Sequence, residues 1–557
     1  PTDGAFRWQY SVFSAGTSVG AASSSMPTTL NNGSYGGTER PNTQFTFTAP
    51  ACPGVLGLSS SSLTSSGAAL SWTAATGATG YDWKVVPTGA GSSAPAVASG
   101  TVTGTSASVT GLMANTAYDF YVTTDCGAGV TSVSAGPSSF TTLCSSQLSG
   151  AVTINPLLPV SASNFHTFAA IATELNACGI SGAVTVSVAP GTYTETIELQ
   201  TISGASSTNT IVFDGGNAAS LDYLTGSSQN AIVLMNGADY VTFRNFTFNH
   251  TTKTSDAFGF RIINESDFLT IENNTFNMST GTSDVVAVLA SGSATSSFTE
   301  GDHCDNLTID SNIIINGSDG IHLEGSAASP ADFMNHATIT NNNISGVKQA
   351  GVYLDQQDSL TISGNTIDAQ GDASVDGLYL FDITNFSITA NNVVAADDGL
   401  YISDGNFDGT PVGRASVVNN MVYSTDGDAF YALDLDLTDV WHNSFSTNST
   451  SASEYAFFTG DNYAVDFRNN ILVANSGEAF YTTVTLSNYT LDYNIYNTNG
   501  TLLIDAGTNA HADLAAWKID QPAYNVNSLE GDPIFTSATD LHVIGALAND
   551  VGDNSVG

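Results

Sequence analysis

Basic residues are scarce in this chain. Ten Lys and Arg stand against 51 Asp and Glu in 557 residues, a net charge of −41. Such a field repels phosphate backbones and anionic headgroups, which excludes nucleic acid and membrane-surface partners. Charge of either sign is sparse, at 11% of residues. No apolar run approaches the roughly 18 residues of a membrane span, so direct membrane insertion is not expected. Cysteine is limited to five residues, enough for two disulfides and one thiol. The chain opens at Pro1 without an initiator Met or a leader and stops at Gly557, which reads as a processed piece of a longer protein. What is abundant is Gly (53 residues), together with Ser, Thr and Asn. That composition reads as all-β with many turns, on a solvated extracellular surface that attracts cations, calcium above all.

Residues 1–50 hold two alternating runs, Phe6–Phe13 and Gln44–Thr48. Two strands bury little alone. They form either the tail of a preceding β-domain or an arm that packs on a neighbouring copy. Residues 51–144 read as a β-sandwich. Trp72 sits on an early strand, Gly111-Leu112 precedes Tyr118, and Tyr118, Phe120 and Val122 alternate inward. Leu112 followed by Tyr118 resembles a tyrosine corner, and the set in order resembles a fibronectin type III module. That resemblance implies poles at which Cys52 meets Cys126, and Cys144 meets Cys178, leaving Cys304 as a thiol. Residues 163–179 read as a helix, with Phe168, Ile171, Ala172 and Leu175 at helical spacing. Asn164 is the expected N-cap and Gly179 the stop. It is the one clear helix.

From residue 145 to 557 the expectation is a right-handed parallel β-helix. A frame of hydrophobic, two residues, Asn, one residue, hydrophobic recurs, as in Ile271–Asn274–Phe276 and Ile362–Asn365–Ile367. Its asparagines are Asn274, Asn312, Asn342, Asn365, Asn391, Asn420, Asn443, Asn470 and Asn494. Their spacing runs from 23 residues (Asn342 to Asn365) to 38 (Asn274 to Asn312), one solenoid turn plus variable loop. Asn tolerates the left-handed backbone of a sharp bend, and stacked amides can hydrogen-bond as a ladder. A leucine-rich repeat is excluded by the missing Leu-x-x-Leu-x-Leu frame. The cap helix running into Pro190-Gly191-Thr192-Tyr193 resembles the opening of pectin-lyase-like β-helices.

A second strand in each turn, such as Gly377-Leu378-Tyr379-Leu380, turns its middle residue outward. The outward stripe is Arg261, His322, Tyr353, Tyr379, Tyr401, Tyr431, Phe458 and Tyr481. Acidic residues frame it: Asp319, Asp376, Asp398 and Asp428 before, Asp355, Asp382, Asp404 and Asp434 after. The stripe is the candidate binding face, for polysaccharide or for other copies of the chain. Asp376, Asp382, Asp398, Asp404, Asp428 and Asp434 are the calcium candidates, set against the alternative of solubilising turn residues. No cofactor is required.

Catalytic motifs are thin, and no residue is assigned a catalytic role. Arg244, Lys253, Arg261, Lys348, Arg414, Arg468 and Lys518 are scattered, whereas a lyase on anionic sugars needs cations beside its base. Asp397-Asp398-Gly399 superficially resembles the Asp-Asp of polygalacturonases, but the accompanying Gly-His-Gly and Arg-Ile-Lys motifs are missing. His303-Cys304 lacks further ligands for zinc. The whole, ending in a tail "GDPIF…DLHVIGALANDVGD" like closing coils, resembles type IX-exported cell-surface proteins of the Bacteroidota. It implies a secreted, extracellular, non-enzymatic adhesin or fibre subunit. A polysaccharide lyase or hydrolase, or a carbohydrate-binding module, is the alternative.

Overall fold

A computed structural model describes residues 52–553 and 555, apart from 145, 228, 254, 282, 297, 302–303, 327–332, 407–412, 485, 487, 507–508 and 549–551. The arm of residues 1–50 and the His303 candidate lie outside the described residues. Between Leu56 and Thr141 a three-stranded and a four-stranded antiparallel sheet enclose a core that includes Leu70, Trp72, Val85, Phe120 and Val122. The Tyr118 hydroxyl accepts a hydrogen bond from the Met113 N–H at 3.1 Å, closing the turn between two strands. Disulfides join Cys52 to Cys126 and Cys144 to Cys178. The second bridge ties the sandwich to the cap helix, helped by Asn115 Nδ2 donating to the Thr173 carbonyl at 3.2 Å. Cys304 keeps its thiol, buried in the core of the next domain.

From Leu148 on, the chain winds into two long, mainly parallel sheets of 25 and 14 strands, about 11 turns of β-helix. In each turn two short strands flank the Asn, as Thr270–Glu272 and Thr275–Met278 flank Asn274. Their inward Ile, Val and Phe side chains, such as Ile362, Ile367, Ile388 and Val393, are fully buried against the second sheet. The facing strands carry Leu378, Leu380, Leu400 and Ile402 into the same core. The Gly that opens these strands has a steric cause. A Cβ on Gly377 would lie 2.2 Å from Val393 Cγ1, and one on Gly399 would lie 2.3 Å from Val422 Cγ1. We expect Gly377→Ala to lower the melting temperature by overpacking, at a cost of about 1–3 kcal/mol. An unchanged melting curve would contradict this contact.

The asparagines form one continuous buried ladder, each 0–1% exposed. From Asn312 on, each Oδ1 accepts from both the backbone N–H and the Nδ2 of the Asn one turn earlier. Asn365 N and Nδ2 thus donate to Asn391 Oδ1 at 3.0 and 2.9 Å. Each Nδ2 also donates to the carbonyl of the hydrophobic residue that opens the preceding frame, as Asn391 does to Ile362 at 2.9 Å. The ladder opens at the Phe246 N–H, which donates to Asn274, and closes where the Asn494 N–H donates to Ser528 Oγ. One expectation is corrected. None of the ladder asparagines has a positive φ; the left-handed residue is the one before each, as in Ser311, Ala390, His442 and Tyr493. Ladder Asn is therefore selected for its paired buried donor and acceptor, not for bend tolerance.

The ends are closed by helices. Phe168–Cys178 lays Phe168, Ile171 and Leu175 over the first turn, with Phe168 stacked 6.3 Å from Phe213. Thr167, not Asn164, is its N-cap: the Thr167 hydroxyl accepts from Ala170 N at 3.1 Å. Asn164 instead sits in a short strand, its amide donating to the carbonyls of Asn155 and Pro159. A second helix, Leu514–Asp520, closes the other end with Trp517 at 0% exposure. At seven residues it is too short to show periodicity. In both helices a distant Glu accepts from the first turn, Glu195 from Ala169 N and Glu530 from Leu514 N.

The expected closing coils are also corrected. Beyond Leu529–Glu530 the described chain adds no further turn and lies back along the outside of the rod. Leu541 packs on Val394 and Tyr423, and the Asp553 carboxylate pairs with Arg468 at 2.7 Å.

Candidate functional site

Period-2 alternation turns the middle residue of each strand in the smaller sheet out of the core. Register then stacks them directly: Tyr353 on Tyr379, Tyr379 on Tyr401, Tyr401 on Tyr431, Tyr431 on Phe458, Phe458 on Tyr481. These six rings are half-buried. Tyr401 and Tyr431 lie 4.8 Å apart at 2°, and Tyr431 and Phe458 lie 4.3 Å apart at 4°. Rings stacked this closely cover one another's faces and turn their edges and hydroxyls to solvent. Stacking of sugar rings along the file, as the outward row suggested, is therefore limited to places where the rings splay. One such place lies between Tyr353 and Tyr379, tilted by 35° with centroids 5.6 Å apart.

Two stripe members are not exposed. Arg261 is 2% exposed and donates to the carbonyls of Ser293 and Ser296. His322 is 4% exposed, sandwiched between Phe298 and Tyr353 with centroids 4.0 and 4.1 Å away. The loop carrying Phe298 covers it, and the sequence offered no signal for that cover. His322 Nδ1 lies 2.9 Å from Asp319 Oδ2, and Nε2 lies 2.8 Å from Glu324 Oε1. Burial opposes its charge, but the two carboxylates outweigh burial and raise its pKa above the ordinary value.

The Asp residues before the stripe form a second ladder. Asp319 Oδ1 accepts from Ala350 N at 3.0 Å, Asp376 Oδ1 from Asp398 N at 3.1 Å, and Asp398 Oδ1 from Asp428 N at 2.8 Å. Asp428 accepts from Tyr455 N. Burial first, then neighbouring carboxylates, push Asp376 and Asp398 up to about 7, and Asp428 well above its ordinary value. Asp355, on the far side of the stripe, is pushed up to about 7 by burial and by Glu324 and Asp382. The other residues after the stripe, Asp382, Asp404 and Asp434, have positive φ within the last residues of their strands, Asp376–Thr384, Leu400–Gly405 and Phe430–Leu435. Among the described residues, no three or more His, Cys, Asp or Glu side chains converge on a point that would hold a metal ion.

Raised carboxyls have a definite consequence for stability. Each binds its proton more tightly in the folded chain than in the unfolded one, where the pKa is about 3.9. The stabilisation is complete below about pH 4 and is lost as pH rises to about 7. His322, raised above its ordinary value, works in the same direction at higher pH. We expect the melting temperature to fall between pH 5 and pH 8, with each carboxyl worth on the order of 1 kcal/mol. A profile that is flat or rising over that interval would contradict the assignment.

Beside His322 and the splayed rings lies a cleft of about 390 Å³. Phe298, Tyr353 and Tyr379 wall it, and Asp319, Glu324 and Asp376 supply its charge.

No curated protein gives a significant match to the chain. Among solved structures, a Streptococcus pneumoniae surface protein and adhesin, PfbA, is similar at 12% identity. That match covers 64% of this chain and 99% of that one, with a TM-score of 0.37. A Yersinia enterocolitica family 28 exopolygalacturonase is similar at 10% identity, over 81% of this chain and 98% of that one, TM-score 0.29. A periplasmic alginate epimerase is similar at 12% identity, over 58% and 75%, TM-score 0.32. Residues 298–436, which carry the cleft and the first part of the tyrosine file, match the family model described as "Right handed beta helix region".

Proposed function

We propose that the chain is a non-enzymatic extracellular adhesin: a rigid β-helical rod that binds a hydroxyl-rich glycan along the Tyr353–Tyr481 face. The observation that carries this reading is the unbroken file of half-exposed rings beside the Asp376–Asp398–Asp428 row. Phenol hydroxyls donate and carboxylates accept, which suits sugar hydroxyls arrayed along a chain. The same charge disfavours polyuronates, because among the described residues no Lys or Arg lines the cleft beside the file to neutralise them. Two disulfides support an oxidising, extracellular setting. The resemblance of the sandwich to fibronectin type III, and of the whole to type IX-exported surface proteins, supports a cell-surface location. Calcium is proposed here only as a diffuse counter-ion to the acidic rows.

The test is binding to a panel of neutral, acidic and amino-sugar polysaccharides, using wild type and Tyr379→Ala/Tyr401→Ala. Wild type should bind a non-uronate member, and the double variant should lose at least about ten-fold in affinity while keeping its fold. Binding unchanged in the variant would sink the reading. Assembly of the chain into fibres that the variant abolishes would point instead to a second copy as the partner.

A glycoside hydrolase is the second reading, favoured by one observation. Asp376, which lines the cleft, and Asp398, on the next turn, are each held near pH 7, as a general acid and its partner would be. Release of reducing sugar from the bound glycan, lost in Asp398→Asn, would decide for it.

A further inference from the structure

We propose that the cleft at Phe298, Tyr353 and Tyr379 takes a protonated amine, the ammonium group of an amino-sugar unit. This rests on the glycan-binding reading and narrows it to a chemical class.

The charge in the cleft is one-sided. Asp319, Glu324 and Asp376 line it, and among the described residues no Lys or Arg does. Among the described lining residues His322 is the one basic group, and both of its ring nitrogens are occupied by Asp319 and Glu324. Its single positive charge faces two carboxylates, and Asp376, pushed up to about 7 by burial and by neighbouring carboxylates, adds negative charge as pH rises to that value. Asp376 Oδ1 accepts the Asp398 N–H. No hydrogen bond within the described chain engages Asp376 Oδ2, so it remains for a ligand.

Ring geometry supplies the second requirement. Where Tyr401 and Tyr431 are parallel within 2°, their faces are covered. At the cleft, Tyr353 and Tyr379 splay by 35° at 5.6 Å, which opens a wedge of π-face beside Asp376. Tyr353 is fixed in that pose from behind by His322, at 4.1 Å and 12°, and His322 by Phe298. Tyr379 is held by Phe381 edge-on at 4.9 Å. A cation over a π-face with a carboxylate alongside is the arrangement that favours ammonium over a neutral hydroxyl or an acetamide. A carboxylated sugar is repelled by the same groups.

The experiment is calorimetric titration of the full chain with glucosamine oligomers and with N-acetylglucosamine oligomers of equal length, at about pH 7, where Asp376 ionises and the amine still holds a proton. The amine oligomer should bind about ten-fold more tightly or better. Asp376→Asn keeps an Oδ1 acceptor for the Asp398 N–H, so the fold survives, and it should erase the preference. Asp520→Asn, on the distant C-terminal cap helix, removes one charge elsewhere and should leave the preference intact. Equal affinity for the two oligomers would overturn the proposal. So would equal weakening by both variants, which would mean attraction to bulk charge alone. If neither oligomer binds but a neutral glycan does, the amine proposal falls and the glycan-binding reading stands. If no member of the panel binds, both fall.

Discussion

Asn391→Ala should destabilise the rod by about 3–5 kcal/mol, the largest loss expected from removing a few polar atoms in this chain. Removing Oδ1 takes away the acceptor for both Asn365 N and Asn365 Nδ2. Removing Nδ2 leaves the Ile362 carbonyl without that donor and breaks the second contact to Asn420 Oδ1. These groups are buried, so water cannot replace the lost bonds, and each orphan costs about 1–3 kcal/mol. Asn391→Asp retains the acceptor and adds a buried charge, so it should not rescue. Chemical denaturation checks this. Because turns contact only their neighbours, a broadened transition with a separate early phase is the expected form. A loss below about 1 kcal/mol would mean that the amide ladder is incidental to side-chain packing.

Trp517→Ala should cost about 3–5 kcal/mol and should also change the solution behaviour. Trp517 is the largest side chain closing the C-terminal end and is fully buried, edge-on to His511 at 5.2 Å. Without it the helix loses its main anchor, and the last turn's strands present unpaired N–H and C=O groups beside an open apolar core. End-to-end association is then the expected outcome, read by sedimentation or light scattering together with the melting curve. A variant that melts lower but stays monomeric would show that the cap stabilises without protecting an edge.

The solenoid was legible in the sequence because one residue type, Asn, recurs with hydrophobic neighbours at fixed offsets. The structural demand behind it, a buried donor and acceptor in every turn, is met by no other side chain of that size. The left-handed position is the one before that Asn, filled by Asn273, Asn341, Gly364, Asn419 and Asn469 but also by Ser311, Ala390, His442 and Tyr493. A backbone requirement met by Asn or Gly in only some turns leaves a broken pattern, which the unbroken Asn beside it masks. The Tyr file was legible from the period of two and from Gly377 and Gly399, whose missing Cβ makes room for core valines. Its accessibility was not legible. Phe298 and its loop come from an insertion between two turns, and nothing in the repeat says where that loop folds. The carboxylate row could be seen, but its hydrogen bonds to the next turn's N–H groups could not. The same Asp spacing suits a solvated turn equally well. The Leu514–Asp520 cap escaped notice and the returning tail was misread as closing coils, because each is held by tertiary contacts, Trp517 in the core and Leu541 on Val394, rather than by local periodicity.

Hydroxyl-radical footprinting, read by mass spectrometry on the full chain with and without the tightest-binding glycan of the panel, tests the binding face most directly. The account predicts protection of Tyr353, Tyr379, Tyr401 and Tyr431 on binding. Tyr463, exposed outside the file, should be oxidised equally in both states. Protection confined to the sandwich, or a tyrosine file oxidised equally with and without glycan, would contradict it.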